Sequence, residues 1–322
     1  MTREGSSGSS NRLFEVCLWV IPGGRLPSCV ILGPDSMIGI LLVDKPMGIT
    51  SHDVVSRVRR ILKTKRVGHA GTLDPLADGL LVVAVGPATR FLNYLDLEPK
   101  KYQAVIRFGE ETATYDAEGD VICSRPVPED LDSRVNAVLA SFLGEISQMP
   151  PIYSAIKKDG RPLYDYARKG EAVEVQARQV TIHDLRVFPA DSRDERLLEV
   201  TCGGGTYVRS LAHDLGQAVG CGGHILQLRR TGAGRFAVDQ AKRLEEISPG
   251  HLLPLRQALE PMAMVCLSSE EEADIRQGRR IRARSGMDLA ALCQVSGEVF
   301  ALARRIGDEL QPECVIPTGP LD

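Results

Sequence analysis

Apolar and polar residues along this chain fall into short stretches of two periods, which become sustained from residue 37 onward. Ile38 to Val43 is an apolar run of strand length. At Thr50 the period becomes helical. Thr50-x-x-Asp53 is a capping-box start, and Val54, Val55, Val58, Ile61 and Leu62 share one face, which leaves Arg57, Arg59, Arg60, Lys63, Lys65 and Arg66 for solvent. Leu80 to Val85 reads as a buried strand and Ala88 to Leu95 as a helix. Alternation over Lys101 to Phe108 predicts a strand with Tyr102, Ala104, Ile106 and Phe108 on the core face and Lys101, Gln103 and Arg107 on the other. Leu131 to Leu143 fits an amphipathic helix, and Val180 to Phe188 and Leu197 to Cys202 fit strands. Gly203 to Gly205 form a turn before a helix that starts near Thr206 and buries Val208, Leu211, Ala212 and Leu215; Tyr207 and Arg209 leave its first turn on either side. A strand, His224 to Arg230, and the turn signal T-G-A-G-R-F follow.

The pattern restarts near Pro254. Ser268-x-x-Glu271 caps a short helix, and Ala291 to Val295 and Glu298 to Arg304 flank Ser296-Gly297 as a β-hairpin. Three segments result: 1–36, with G-S-S-G-S-S and no sustained period, expected as a poorly ordered extension; 37–254, the main body; and 255–322, a small mostly-β domain. Met37, which opens the first strand, is a candidate start residue, and the mass of the natively expressed protein checks it.

Composition changes this picture little. The 322 residues suffice for roughly two domains. A net charge of −3 excludes a globally basic nucleic-acid binder and leaves local patches, the cluster around Arg57 to Arg66 and the group Arg279, Arg280, Arg282 and Arg284. The eight cysteines have no C-x-x-C pair and no histidines at ligand spacing, so no metal site is expected. No apolar stretch reaches membrane-spanning length or forms a signal-peptide core, and free thiols suit a reducing cytoplasm.

Two stretches carry chemistry. Arg66 to Leu81, R-V-G-H-A-G-T-L-D-P-L-A-D-G-L-L, reads as a tight loop that delivers polar groups to the mouth of a strand. Pro75 restricts Asp74 to an extended or turn conformation, although Asp74 also suits an N-cap and Asp78-Gly79 a β-turn. Residues 148–170 interleave tyrosines with cations around prolines, as looped RNA requires for stacking and phosphate contact, although an ordinary surface excursion with amphipathic residues has the same composition. The triple glycine before the Thr206 helix lacks the G-K-[ST] ending of a P-loop, which excludes that kind of nucleotide hydrolysis.

Taken together, D-K-P-M-G-I-T-S-H (44–52), G-H-A-G-T-L-D-P-L-A-D-G-L-L (68–81), K-Y (101–102), P-P-I-Y-S-A-I-K-K-D-G-R-P-L-Y (150–164), G-T-Y-V-R-S-L (205–211) and L-R-R-T-G-A-G-R-F (228–236) resemble the bacterial tRNA pseudouridine synthase B family, in its order. The resemblance implies an α+β pseudouridine synthase fold, a mixed mostly antiparallel sheet flanked by helices, over 37–254. It makes 148–170 an RNA-contacting insertion and 255–322 a PUA-like domain. It implies isomerisation of uridine 55 in the tRNA T-loop after base flipping, with no cofactor and no metal. On that likeness Asp74 is the catalytic aspartate, Arg209 its ion-pair partner and Tyr207 the active-site tyrosine; Tyr102, His69, Lys45 and Leu228 serve substrate binding, with Tyr102 stacking on the flipped base, His69 filling the space it leaves and Lys45 supporting the loop. The remaining histidines, His52, His183, His213, His224 and His251, are read as packing or surface residues. The expected partner is the tRNA T-arm, met by a cytoplasmic monomer without guide RNA or membrane. The rivals are a guide-RNA-dependent synthase and a tRNA-folding chaperone with dispensable catalysis.

Overall fold

The computed structural model describes residues 37–318 apart from 155, 159, 170, 172, 174 and 285, so the expected N-terminal extension lies outside the described residues. Strand β1 (Gly39–Lys45) leads to helix α1 (Ser51–Ile61). The capping box forms: the Asp53 N–H donates to Thr50 Oγ1 at 3.1 Å, and the Thr50 N–H donates to Asp53 Oδ2 at 2.9 Å. Val54, Val55 and Val58 are buried as their spacing requires, whereas Ile61, in the last turn, is exposed. The basic cluster is only partly solvent-facing. Arg60, Lys63 and Lys65 are exposed, but Arg57, Arg59 and Arg66 are half-buried, and Arg59 Nη2 donates to the Val67 carbonyl at 3.0 Å.

Strands β2 (Val67–Ala70) and β3 (Ala77–Val85) follow. Alternate residues of β3 enter different cores, Leu80, Val82 and Ala84 on one side and Leu81, Val83 and Val85 on the other, which explains its unbroken apolar run. Asp78 and Gly79 lie inside this strand and do not form the expected β-turn. The expected α-helix after β3 is a 3₁₀ stretch, Gly86–Tyr94; Pro87 supplies no N–H, and Thr89 Oγ1 reaches three residues back to the Gly86 carbonyl at 3.0 Å.

Next come β4 (Lys100–Phe108), β5 (Glu110–Thr112), β6 (Val121–Ser124), α2 (Leu131–Leu139) and β7 (Gly144–Gln148). Helix α2 ends before the expected Leu143 and gives way to a 3₁₀ turn, Ala140–Phe142. The insertion holds a two-strand ribbon, β8 (Lys157–Lys158) and β9 (Arg161–Pro162), and a short helix, α3 (Leu163–Arg168). The chain continues through β10 (Arg178–Pro189), β11 (Glu195–Cys202), α4 (Val208–Val219), β12 (Gly223–Ala233), β13 (Phe236–Ala237) and α5 (Leu255–Ala258). A second, five-stranded sheet comprises β14 (Ala263–Cys266), β15 (Ile281–Arg282), β16 (Leu289–Cys293), β17 (Val299–Ile306) and β18 (Glu309–Val315), with α6 (Ser269–Arg276) beside it. Ser268 caps α6, and β16 and β17 form the expected hairpin.

The main sheet runs β1-β3-β12-β4-β11-β10-β7, with β2 beside β3 and β13 beside β12. Its described pairs are antiparallel except β3 with β12. Helices α2 and α4 cover its centre with Leu131, Val135, Leu211 and Leu215 against Ile106, Leu198 and Ile225, while α1 covers β1 and β3. The fold is thus a mixed, mostly antiparallel sheet flanked by helices, as the resemblance implied.

Register aligns one row across the centre: Lys45 opposite Gly79, Gly79 opposite Arg230, and Arg230 opposite Tyr102. Side chains paired in this way emerge on one face of the sheet. Gly79 (φ 96°) is required on two counts, because a Cβ there would lie 2.4 Å from the Arg230 carbonyl oxygen and because that φ is left-handed. Gly48 (φ 85°) would meet nothing within 4 Å and isolates the conformational part. We expect Gly48→Ala to lose roughly 1 kcal/mol of stability and Gly79→Ala about 3 kcal/mol or more; equal urea midpoints for the two variants would show that the β3–β12 approach is not limiting.

Candidate active site

Asp74 lies in the loop between β2 and β3, which three neighbours hold by its backbone. The Ser51 hydroxyl, on the first turn of α1, both accepts from the Leu73 N–H at 2.9 Å and lies 3.1 Å from the Leu73 carbonyl. The Gly48 N–H donates to the Pro75 carbonyl at 2.8 Å. Arg230 spans the loop's two ends, with Nη2 donating to the Gly71 carbonyl at 2.9 Å and Nε to the Leu80 carbonyl at 2.7 Å. Asp74 caps no helix; its carbonyl closes a turn to the Ala77 N–H at 3.1 Å, and Pro75 keeps the segment non-helical.

The Asp74 carboxylate meets Arg209, the second residue of α4, at 2.8 Å between Oδ2 and Nη2. Arg209 is 4% exposed. Its Nη1 also pairs with Asp116 Oδ2 at 3.0 Å and donates to the Thr114 carbonyl at 3.0 Å, and its Nη2 donates to the Tyr153 carbonyl at 3.0 Å. The sequence reading did not single out Asp116. It is 3% exposed and sits in the β5–β6 loop, where its other oxygen accepts from the Thr114 hydroxyl and the Glu118 N–H. The Asp74 side chain is 40% exposed, and Oδ1 has no protein partner among the described residues.

Tyr207 precedes α4 and Tyr102 rises from β4 in the central row. Burial raises the pKa of both phenols, and the nearby Asp74 charge adds to each rise. The Arg230 charge counters it at Tyr102. At Tyr207 the Ser154 side chain counters it without a complete hydrogen bond, since its buried hydroxyl oxygen is unpartnered. Two aromatic rings therefore stand close enough to Asp74 to sense its charge. The Tyr207 main chain is gripped by Gln148, another residue without a signal in the sequence.

Lys45 is fully buried, and its Nζ donates to the carbonyls of Ile49 at 2.7 Å and Pro46 at 3.0 Å. Burial lowers its pKa from 10.5 to about 8 against the opposing pull of Asp78 and Asp74. His69, in β2, is half-buried, its Nδ1 has no partner among the described residues, and burial followed by the charge of Arg230 lowers its pKa. Leu228 is 8% exposed and packs in the core with Leu73 and Leu76, below the Asp74 loop. Asp78 stands apart from Arg209; Arg229 bridges it, at 3.2 Å, to Asp44, at 2.9 Å. The glycine turn before α4 receives the Glu98 carboxylate, whose Oε2 accepts from the Gly204 N–H at 2.9 Å. Of the other histidines, His213 stacks on Tyr115, His224 Nδ1 meets the Glu110 carbonyl, and His52 and His183 are exposed. On either side of β15, Arg279, Arg280 and Arg284 are paired with Asp274, Glu309 and Glu271. No helix among the described residues is long and apolar enough to cross a membrane, and none of their His, Cys, Asp and Glu side chains cluster as a metal site.

This fold is shared with a chain of the solved Cbf5-Nop10-Gar1 complex, 26% identical with a TM-score of 0.66 over 92% of both chains, and with the archaeal box H/ACA Nop10-Cbf5 complex, 25% identical with a TM-score of 0.64 over 88% and 90%. The fold is that of a pseudouridine synthase. Residues 59–208 match the TruB family pseudouridylate synthase N-terminal domain, and residues 209–265 match the tRNA pseudouridylate synthase B C-terminal domain. The proteins named tRNA pseudouridine synthase B from Cupriavidus metallidurans and Thermobifida fusca are 44% and 45% identical, covering 84% and 86% of this chain and 87% and 98% of theirs. The chain belongs to the tRNA pseudouridine synthase B family.

The Lys45 ammonium generates a stability prediction. Its pKa is about 8 in the fold against 10.5 for a solvated lysine, so between those values the unfolded chain binds the extra proton and stability rises with pH. Lys45→Met lacks this slope, although it leaves the Pro46 and Ile49 carbonyls without their donor at every pH. Urea midpoints of the wild type should climb relative to the variant across that window; parallel curves would show that the ammonium is not held in a desolvated site.

Proposed function

We propose that this chain isomerises uridine to pseudouridine in tRNA, at position 55 of the T-loop, with Asp74 as the catalytic carboxylate. The observation that carries the reading is the Asp74–Arg209 pair at 2.8 Å, which leaves the other carboxylate oxygen without a partner among the described residues, in a site whose charge acts on both tyrosines. The family and the names of its relatives supply the substrate class.

The reaction exchanges bonds within one nucleotide. The N1–C1′ bond breaks, the uracil turns over, C5 bonds to C1′, and the C5 proton is lost while N1 gains one; no redox partner is required. The carboxylate serves at the base, at C1′ or at a ribose proton, and in each role it needs a fixed position and an open oxygen. The backbone ties to Ser51, Gly48 and Arg230 supply the first and the exposure of Asp74 the second. A stacked T-loop base must leave its stack at a cost of a few kcal/mol. Tyr102 stacks on the flipped base, Tyr207 lies over ribose and base, His69 fills the space the base left, Lys45 braces the loop, and Leu228 underlies the pocket floor. Exposed Arg60, Lys63 and Lys65 suit the phosphates, and residues 148–170 close over the T-arm. Residues 255–322 form a PUA-like module around the second sheet and add RNA contacts. The enzyme works as a monomer in the cytoplasm, without guide RNA.

Incubation of purified protein with an unmodified tRNA transcript, followed by pseudouridine mapping, should place the product at position 55 without accessory RNA or protein. Asp74→Asn should abolish product while tRNA binding persists; product from that variant would refute the assignment. Tyr102→Phe should keep most activity and Tyr102→Ala lose about 100-fold or more, and equal losses would show that the hydroxyl, not the ring, is required.

A further inference from the structure

The root of the insertion is bonded to the start of α4 at three points. Gln148, 1% exposed at the end of β7, accepts the Tyr207 N–H at 2.8 Å through Oε1 and donates to the Tyr207 carbonyl at 3.0 Å through Nε2. One buried amide thus holds both main-chain polar groups of Tyr207, the N-cap residue of α4, whose own side chain makes no capping bond. The Ser210 hydroxyl donates to the Met149 carbonyl at 2.7 Å, and Arg209 Nη2 donates to the Tyr153 carbonyl at 3.0 Å.

Accepting the reading of the site given above, we propose that residues 148–153 are a positioning link. It sets the Tyr207 backbone and the Arg209 guanidinium according to where the RNA-contacting insertion lies, and Gln148 is its fixed end. The link acts through its main chain, because two of its contacts to α4 use the carbonyls of Met149 and Tyr153. Arg209 Nη2 divides its two N–H groups between Asp74 and that Tyr153 carbonyl. If the carbonyl is displaced, a buried donor loses its acceptor and the guanidinium loses the brace that aims it at Asp74. On the outer side of the same segment, Met149 and Ile152 are about half exposed and present apolar surface to an RNA held by the insertion. Gln148 touches no reacting atom; it is a positioning residue.

Gln148→Met removes both bonds to Tyr207 at similar volume. Gln148→Glu keeps the bond from the Tyr207 N–H, and it regains the donor to the carbonyl only when protonated. Single-turnover release of tritium from the uridine C5 of a labelled tRNA transcript reads the chemistry, filter binding reads affinity, and thermal melting reads folding. Gln148→Met should slow tritium release about 10- to 100-fold at every pH, with tRNA affinity within about twofold and most protein folded. The rate of Gln148→Glu, relative to wild type, should recover as pH falls from about 8 to about 6, since burial raises a carboxyl's pKa. A Gln148→Met rate equal to wild type, a loss confined to affinity or to the folded fraction, or no pH-dependent recovery would overturn the link. Wild-type protein that releases no tritium, or active Asp74→Asn, would instead overturn the function itself.

Discussion

The site depends on one buried cation. A guanidinium keeps its charge at any ordinary pH, so Arg209 must find partners at 4% exposure or destabilise the fold. It finds two carboxylates and two carbonyls, from the Asp74 loop, the β5–β6 loop and the root of the insertion. Satisfying it therefore draws three separate segments to the first turn of α4. A cation at a helix N-terminus is opposed by the helix dipole, and the Asp74 and Asp116 carboxylates offset that cost by pairing with the Arg209 guanidinium.

The second constraint is the row Lys45, Gly79, Arg230 and Tyr102 across four strands. Arg230 is 1% exposed and donates to the loop carbonyls of Gly71 and Leu80, and its charge acts on the Tyr102 phenol. Gly79 has to be glycine because the parallel neighbour β12 approaches so closely. The sheet register thus fixes the Asp74 loop from beneath, as α4 fixes its carboxylate from the side. Orientation of this kind is established during folding and requires no rearrangement when charge develops in the reaction.

Much of the frame could be read from local pattern. The period-2 alternation placed Tyr102 on the core face, Thr50 and Ser268 announced two helices, and Ser296-Gly297 announced a hairpin. Asp74, Tyr207 and Arg209 were reached through motif resemblance, and their proximity became visible only in the fold. Ser51, Asp116 and Gln148 carried no local mark of their roles, because their partners lie 22, 93 and 59 residues away. Asp78-Gly79 was misread for a related reason. The dipeptide has turn composition, but what selects its glycine is the backbone of a strand about 150 residues later.

The places where local rules fail surround the two buried arginines. A lysine is buried with its pKa lowered to about 8, an arginine stands at a helix N-terminus, and Tyr115, next to Asp116, adopts a left-handed φ of 63°. Tyr115 is held there by stacking on His213 of α4, with ring centroids 4.0 Å apart and planes 15° from parallel. Each departure is disfavoured in isolation, by strain or by desolvation of charge. Each is also tied to Arg209 or Arg230 within one or two contacts. Local preference would relax them separately, and the tertiary network opposes that because moving any one leaves a buried charge or hydrogen-bonding group unsatisfied. Local violations that support one another in this way are what is expected where a fold has been shaped around chemistry and not around stability alone.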